Sequence, residues 1–132
     1  MKTKKYPLVI CSKEDNCNIV FSEFSDNLKV DLSTAEEIVA NRLEFTENKK
    51  HYLIINISNV QQVTLEAKEF MAKADAGLKN ILGSAFVASN PVSALLANIM
   101  IKATPSVPSK FFSSQRDALS WIKELKLKHR NN

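Results

Sequence analysis

The 132-residue chain is poor in the residues on which much standard chemistry depends: it holds two glycines, two histidines and two cysteines. Gly77 and Gly83 stand in the stretch GLKNILG with no Lys-Ser/Thr behind them and no third glycine near. A phosphate-cradling P-loop and a dinucleotide fingerprint are therefore both absent. Cys11, Cys17, His51 and His129 do not fall at the spacings of a tetrahedral zinc set, so the sequence predicts neither a metal site nor a cofactor. Long apolar runs are also missing. The longest, such as Ala85–Ala88 and Ala94–Ala97, are four residues, too short for a bilayer span. Met-Lys-Thr-Lys-Lys is followed by no apolar h-region, which reads as no secretory signal. The expected place is the cytoplasm, with both thiols reduced.

What is present suits one soluble domain over residues 1–132, with 45% apolar and 24% charged residues. Eighteen basic side chains exceed 14 acidic ones, and the excess sits at the ends. Lys2, Lys4 and Lys5 lie at one end, and Lys123, Lys126, Lys128 and Arg130 at the other, around a mildly acidic body. Residues 1–5 and 126–132 read as short solvated basic tails. No basic stripe interleaved with aromatics runs through the body, so a nucleic-acid partner is not expected.

Periodicity supplies the elements. Pro7–Cys11 and Asn18–Phe24 read as strands of a hairpin, followed by a brief extended piece, Leu28–Val30. A helix begins at Asp31 or Ser33, and Ala35, Ile38, Val39, Arg42 and Leu43 share its apolar face. Arg42 is expected to lay its stem on the core and send its head to water. Tyr52–Ile57 and Ser84–Ser89 are apolar in both phases, as strands covered on two faces are. Between them Ser58–Val63 reads as a loop, and Thr64 caps a helix lined by Ala67, Phe70, Met71 and Ala74 that Gly77 ends. Asn90-Pro91 opens a third helix to Lys102 or Ala103, Lys110–Phe112 is a short strand, and Ser114 caps a last helix that buries Ala118, Trp121, Ile122 and Leu125. The alternation predicts an α/β fold: a four- to five-stranded mixed sheet opened by an N-terminal hairpin, with four helices.

No catalytic constellation emerges. His51 has no motif around it, His129 falls in the basic tail, and Cys11 sits among apolar strand residues as an inert thiol. The third helix stands out, with one charge between Pro91 and Lys102. Val92, Leu95, Leu96, Ile99, Met100 and Ala103 form a broad face assigned to the core. Ala94, Ala97 and Ile101 lie opposite, where a surface helix would carry charge. Three uses of that second face stay open: burial within the monomer, contact with a protein partner or a second copy of the chain, or contact with an apolar ligand. In the ligand case Phe86, Leu96, Met100 and Phe112 would line a lipid-like pocket.

Four stretches carry a family resemblance: Ile19–Phe24, His51–Val60, Val63–Ala67 and Ser113–Ile122, the last with Ala118 and Trp121 three residues apart. Over about residues 17–126 the chain resembles the STAS family, the anti-sigma-factor antagonist (SpoIIAA-like) domains, and within it small uncharacterised bacterial STAS-like proteins. The resemblance implies a SpoIIAA-like fold and a non-enzymatic regulatory or scaffolding role through protein–protein contact. Relatives are switched by phosphorylation of a serine at the start of the second helix. That stretch falls on Thr64, Leu65, Glu66 and Ala67, so the serines are replaced by Leu65 and Glu66. Only the Thr64 hydroxyl remains, and the helix cap claims it. The resemblance thus implies the family's contact surface without its phosphoserine switch.

Overall fold

The computed structural model describes residues 1–130. Six strands form the main sheet: β1 (Lys2–Lys5), β2 (Val9–Lys13), β3 (Ile19–Phe24), β5 (His51–Asn56), β7 (Ile81–Val87) and β8 (Ser109–Phe112). Their spatial order is their chain order. The first three pair antiparallel, and β3, β5, β7 and β8 run parallel. A second, two-stranded parallel sheet pairs β4 (Leu28–Val30) with β6 (Val60–Val63).

Four helices cover the main sheet: α1 (Leu32–Phe45), α2 (Leu65–Met71), α3 (Pro91–Ala103) and α4 (Gln115–Arg130). Alternation along β5 separates two cores, because successive side chains point to opposite faces. Leu53 and Ile55 face one layer with Ile38 and Phe45 of α1, Ala67 of α2 and Ala97 of α3. Tyr52 and Ile54 face the other, closed by Ala118 and Ile122 of α4. The doubly apolar pattern of 52–57 thus reports a strand buried between helix layers. Trp121 is half-buried on the second core, tilted against Phe112 with ring centroids 5.7 Å apart.

Four sequence expectations are corrected. The sheet has six strands because Lys2–Lys5, expected as a tail, pairs with β2. Alternating lysines on an edge strand discourage further pairing, and here they also tie the strand to the end of α1. Lys2 Nζ donates to the Phe45 carbonyl at 2.8 Å, where a cation offsets the helix dipole. Lys4 Nζ and the Tyr6 hydroxyl both donate to Glu44, at 2.6 and 2.9 Å. The stretch 60–63 is a strand, not a loop; its pairing with β4 is long-range and leaves no local signal. Helix α2 ends at Met71, and residues 72–80 turn back on it. Gly77 serves that turn through size, since a Cβ there would sit 2.1 Å from the Met71 carbonyl oxygen. Finally, 126–130 belong to α4, and the Tyr52 hydroxyl and His129 Nδ1 are hydrogen-bonded at 2.5 Å. Residues 131 and 132 of the expected tail lie outside the described residues.

Candidate functional site

A sheet whose strand order follows chain order has no point where the order reverses. Such reversals open the ligand crevice of doubly wound α/β proteins. Binding surfaces must therefore be sought on the helices or between helices and sheet.

Helix α3 is rotated relative to expectation. Asn90 caps it by accepting from Ser93 N at 2.9 Å and donates to the Ser58 carbonyl at 3.0 Å. Ser93 is buried, with Oγ 3.2 Å from Ser58 O and 3.3 Å from Val60 O. These polar anchors on the turn between β5 and β6 fix the rotation. Ala97, 0% exposed, is the small residue that lets the helix close down on the core. Ala94 and Ile101 are half-buried and pack against the same core. Of the three uses left open for that face, burial within the monomer is the one observed, and a partner contact there is overturned. Of the six residues assigned to the core, Leu96 and Met100 pack on it, whereas Val92, Leu95 and Ile99 are 58%, 62% and 37% exposed. They recur at i, i+3 and i+7, one line along the outside of the helix. Apolar side chains all round the helix left its phase undetermined, and buried Ser93 was the missed signal.

At the start of α2, Thr64 Oγ1 accepts from Ala67 N at 3.2 Å, the cap read from the sequence. Leu65 is 66% exposed and Glu66 is also exposed. The two residues that follow the cap thus present a leucine and a carboxylate to solvent.

Beneath α1 and α3 lies a cavity of about 80 Å³. Phe86, Leu96 and Met100 line it, as the pocket alternative expected; Phe112 does not. The alternation of β8 sends Phe112 to the opposite core, against Trp121. One charged residue lines the cavity, Arg42, and its position corrects the reading that sends its head to water. It is 3% exposed. One terminal nitrogen donates to the Lys79 carbonyl at 3.1 Å, and buried Nε has no partner. Among the described residues no carboxylate pairs with it. Burial lowers even this guanidinium, to about 10. The helical period placed Arg42 inward; nothing in the sequence marked its head as stranded without a counter-ion.

Two further groups lie close to this layer. Cys11 is fully buried on the cavity wall, and burial pushes its thiol up, which keeps it neutral. His51, buried at the first position of β5, is hydrogen-bonded through Nδ1 to Lys49 O at 2.9 Å. Desolvation brings it down to about 4, so the ring is neutral near pH 7. Its Nε2 is buried without a partner. At Cys11 burial outweighs the opposing pull of Ser22 and the Arg42 cation, and at His51 the one hydrogen-bond partner is the Lys49 carbonyl. Among the described residues no three His, Cys, Asp or Glu side chains gather to hold a metal ion. No helix among them is long and apolar enough to cross a membrane.

Comparison with known proteins places this architecture. A family model described as a domain of unknown function, DUF7793, matches residues 12–126. A solved structure of an uncharacterised DUF3478-family protein with a SpoIIAA-like fold, from Shewanella loihica PV-4, superposes with a TM-score of 0.61. It is 18% identical, over 92% of this chain and 98% of that one. The SpoIIAA-like fold expected from sequence is thereby shown. No curated protein matches the chain.

Proposed function

We propose, for a chain that belongs to the DUF7793 family, a non-enzymatic regulatory or scaffolding role of the STAS kind, exercised in the cytoplasm through protein–protein contact. The observation that carries this reading is the outer line of α3. Val92, Leu95 and Ile99 expose apolar surface along a helix with one charged residue, Lys102. Grouped apolar exposure of this sort marks interaction surfaces more than isolated exposed leucines do. Leu65, at the position where the STAS resemblance puts a phosphorylatable serine, adds apolar exposure. Contact would then be constitutive with respect to that modification.

The test compares wild type, Leu95→Asp and Lys123→Glu as immobilised proteins in extract of the native cell. Lys123 lies on α4, on the far side of the sheet. A protein held by wild type and Lys123→Glu, lost with Leu95→Asp, and rebound when purified would support the reading. Equal capture by Leu95→Asp would overturn it. If the partner is a second copy, sedimentation equilibrium would show a concentration-dependent mass that Leu95→Asp abolishes.

A second reading, carriage or sensing of a small apolar ligand, is favoured by the cavity of about 80 Å³ beneath α1 and α3. Pockets that hold small molecules are mostly apolar with few placed polar groups, and this wall is apolar save for Arg42, Cys11 and Ser22.

A further inference from the structure

We propose that the cavity beneath α1 and α3 binds a short-chain monocarboxylate, with its carboxylate on Arg42 and its alkyl tail among Leu53, Ile55, Phe86 and Met100. The proposal rests on the second reading above and gives its ligand a chemistry.

A buried guanidinium with no counter-ion is an unfavourable arrangement that native proteins resolve by pairing. Here the Lys79 carbonyl takes one N–H, Nε is left without a partner, and no carboxylate of the described residues comes within ion-pair distance. Cys11 cannot supply the anion, because its burial favours the neutral thiol. Arg42 is also the one charged residue on the cavity wall. The planar fork of an arginine matches a carboxylate in particular, through two parallel N–H···O bonds.

The rest of the wall sets the remainder of the ligand. Ser22 and Cys11 offer one hydroxyl and one thiol; every other lining residue apart from Arg42 is apolar. A dianion such as a phosphate monoester would bring a second charge and extra oxygens with no donors to meet them. A neutral hydrocarbon would fill the space but leave the guanidinium unpaired. At roughly 10–15 Å³ for each water-sized group, a cavity of about 80 Å³ takes roughly five to eight non-hydrogen atoms. That is the size of propanoate to hexanoate, well short of a membrane fatty acid.

The test titrates hexanoate, hexan-1-ol and dodecanoate into the full chain carrying 13C-labelled methyls on leucine, isoleucine and methionine. The methyl shifts of Leu53, Ile55 and Met100 report occupancy. Hexanoate should saturate these shifts and bind at least about tenfold more tightly than hexan-1-ol, the value of a charge-assisted fork against a neutral hydroxyl. Arg42→Met, which replaces the charge with an apolar side chain, should lose that advantage yet still take up hexan-1-ol. Equal affinity for acid and alcohol would overturn the carboxylate assignment and leave the apolar-carrier reading standing. Tighter binding of dodecanoate would overturn the short-chain assignment alone. No shift with any of the three would remove both readings. Should Arg42→Met fail to fold, the acid–alcohol comparison on wild type decides the question by itself.

Discussion

Burial sets the behaviour of His51. The folded chain holds it at about 4, whereas an unfolded histidine titrates near 6.5. The folded pKa is the lower one, so below about pH 6.5 the unfolded state takes up a proton that the folded state refuses. Stability is therefore lost as pH falls from about 6.5 towards 4, by about 3 kcal/mol if the whole difference is expressed. His51→Asn keeps a donor for the Lys49 carbonyl and removes the titration. Urea unfolding of both proteins at pH 7 and pH 4.5 should show wild type losing markedly more stability than the variant. Parallel losses would exclude His51 as the source. Thr64 offers a smaller effect. Its hydroxyl caps α2, and Thr64→Ala should lower stability by about 1 kcal/mol. The same engagement argues against a regulatory phosphate there, and stoichiometric phosphorylation of Thr64 in native protein, seen by mass spectrometry, would refute that view.

For elements, legibility in the sequence followed how local the deciding interaction was. The Thr64 and Asn90 caps, the proline that opens α3 and strand β5 are written within a few residues and lie where the sequence puts them; the doubly covered strand expected over 84–89 runs instead from Ile81 to Val87. Strand β6 leaves no mark in its own stretch of sequence because its partner, β4, lies about 30 residues earlier. The rotation of α3 is not legible in its sequence, because apolar residues on every side give the helical period nothing to select. Hydrogen bonds from Asn90 and Ser93 to the turn after β5 chose the phase instead. Of the candidate pocket, Phe86, Leu96 and Met100 were legible by strand alternation and helical spacing. Arg42 was placed inward by the same spacing, but the absence of a counter-ion depends on the whole tertiary arrangement. The observed phase makes a clear prediction. Ala97→Asp buries a carboxylate against the core and should cost well over 3 kcal/mol. Leu95→Asp, on the exposed side, should stay within about 0.5 kcal/mol of wild type. Thermal melts of the two variants distinguish this rotation from the opposite one, which expects the reverse ranking.

Across the whole molecule, the basic ends belong to the fold and not to its solvent halo. Strand β1 occupies the edge beside β2 and is tied to α1 through Phe45 and Glu44. Without residues 1–5, β2 would become the edge, with its backbone groups unpaired and Ile10 already exposed. The shortened chain should scatter more light as concentration rises, and its Tm should fall. An unchanged Tm and a mass independent of concentration would show that β1 contributes nothing.

The strand order carries one more consequence, for a chain made from its amino terminus. Because β1, β2, β3, β5, β7 and β8 lie side by side in the order of synthesis, each strand emerging from the ribosome meets a neighbour already made. No strand waits to be inserted between two others, so assembly can keep pace with translation. The cost falls on one face. Tyr52, Ile54, Ala85 and Val87 are covered by α4, the last of the described elements to emerge. Until Ala118 and Ile122 arrive, the nascent sheet shows solvent an apolar surface, and the chain is open to aggregation for that interval.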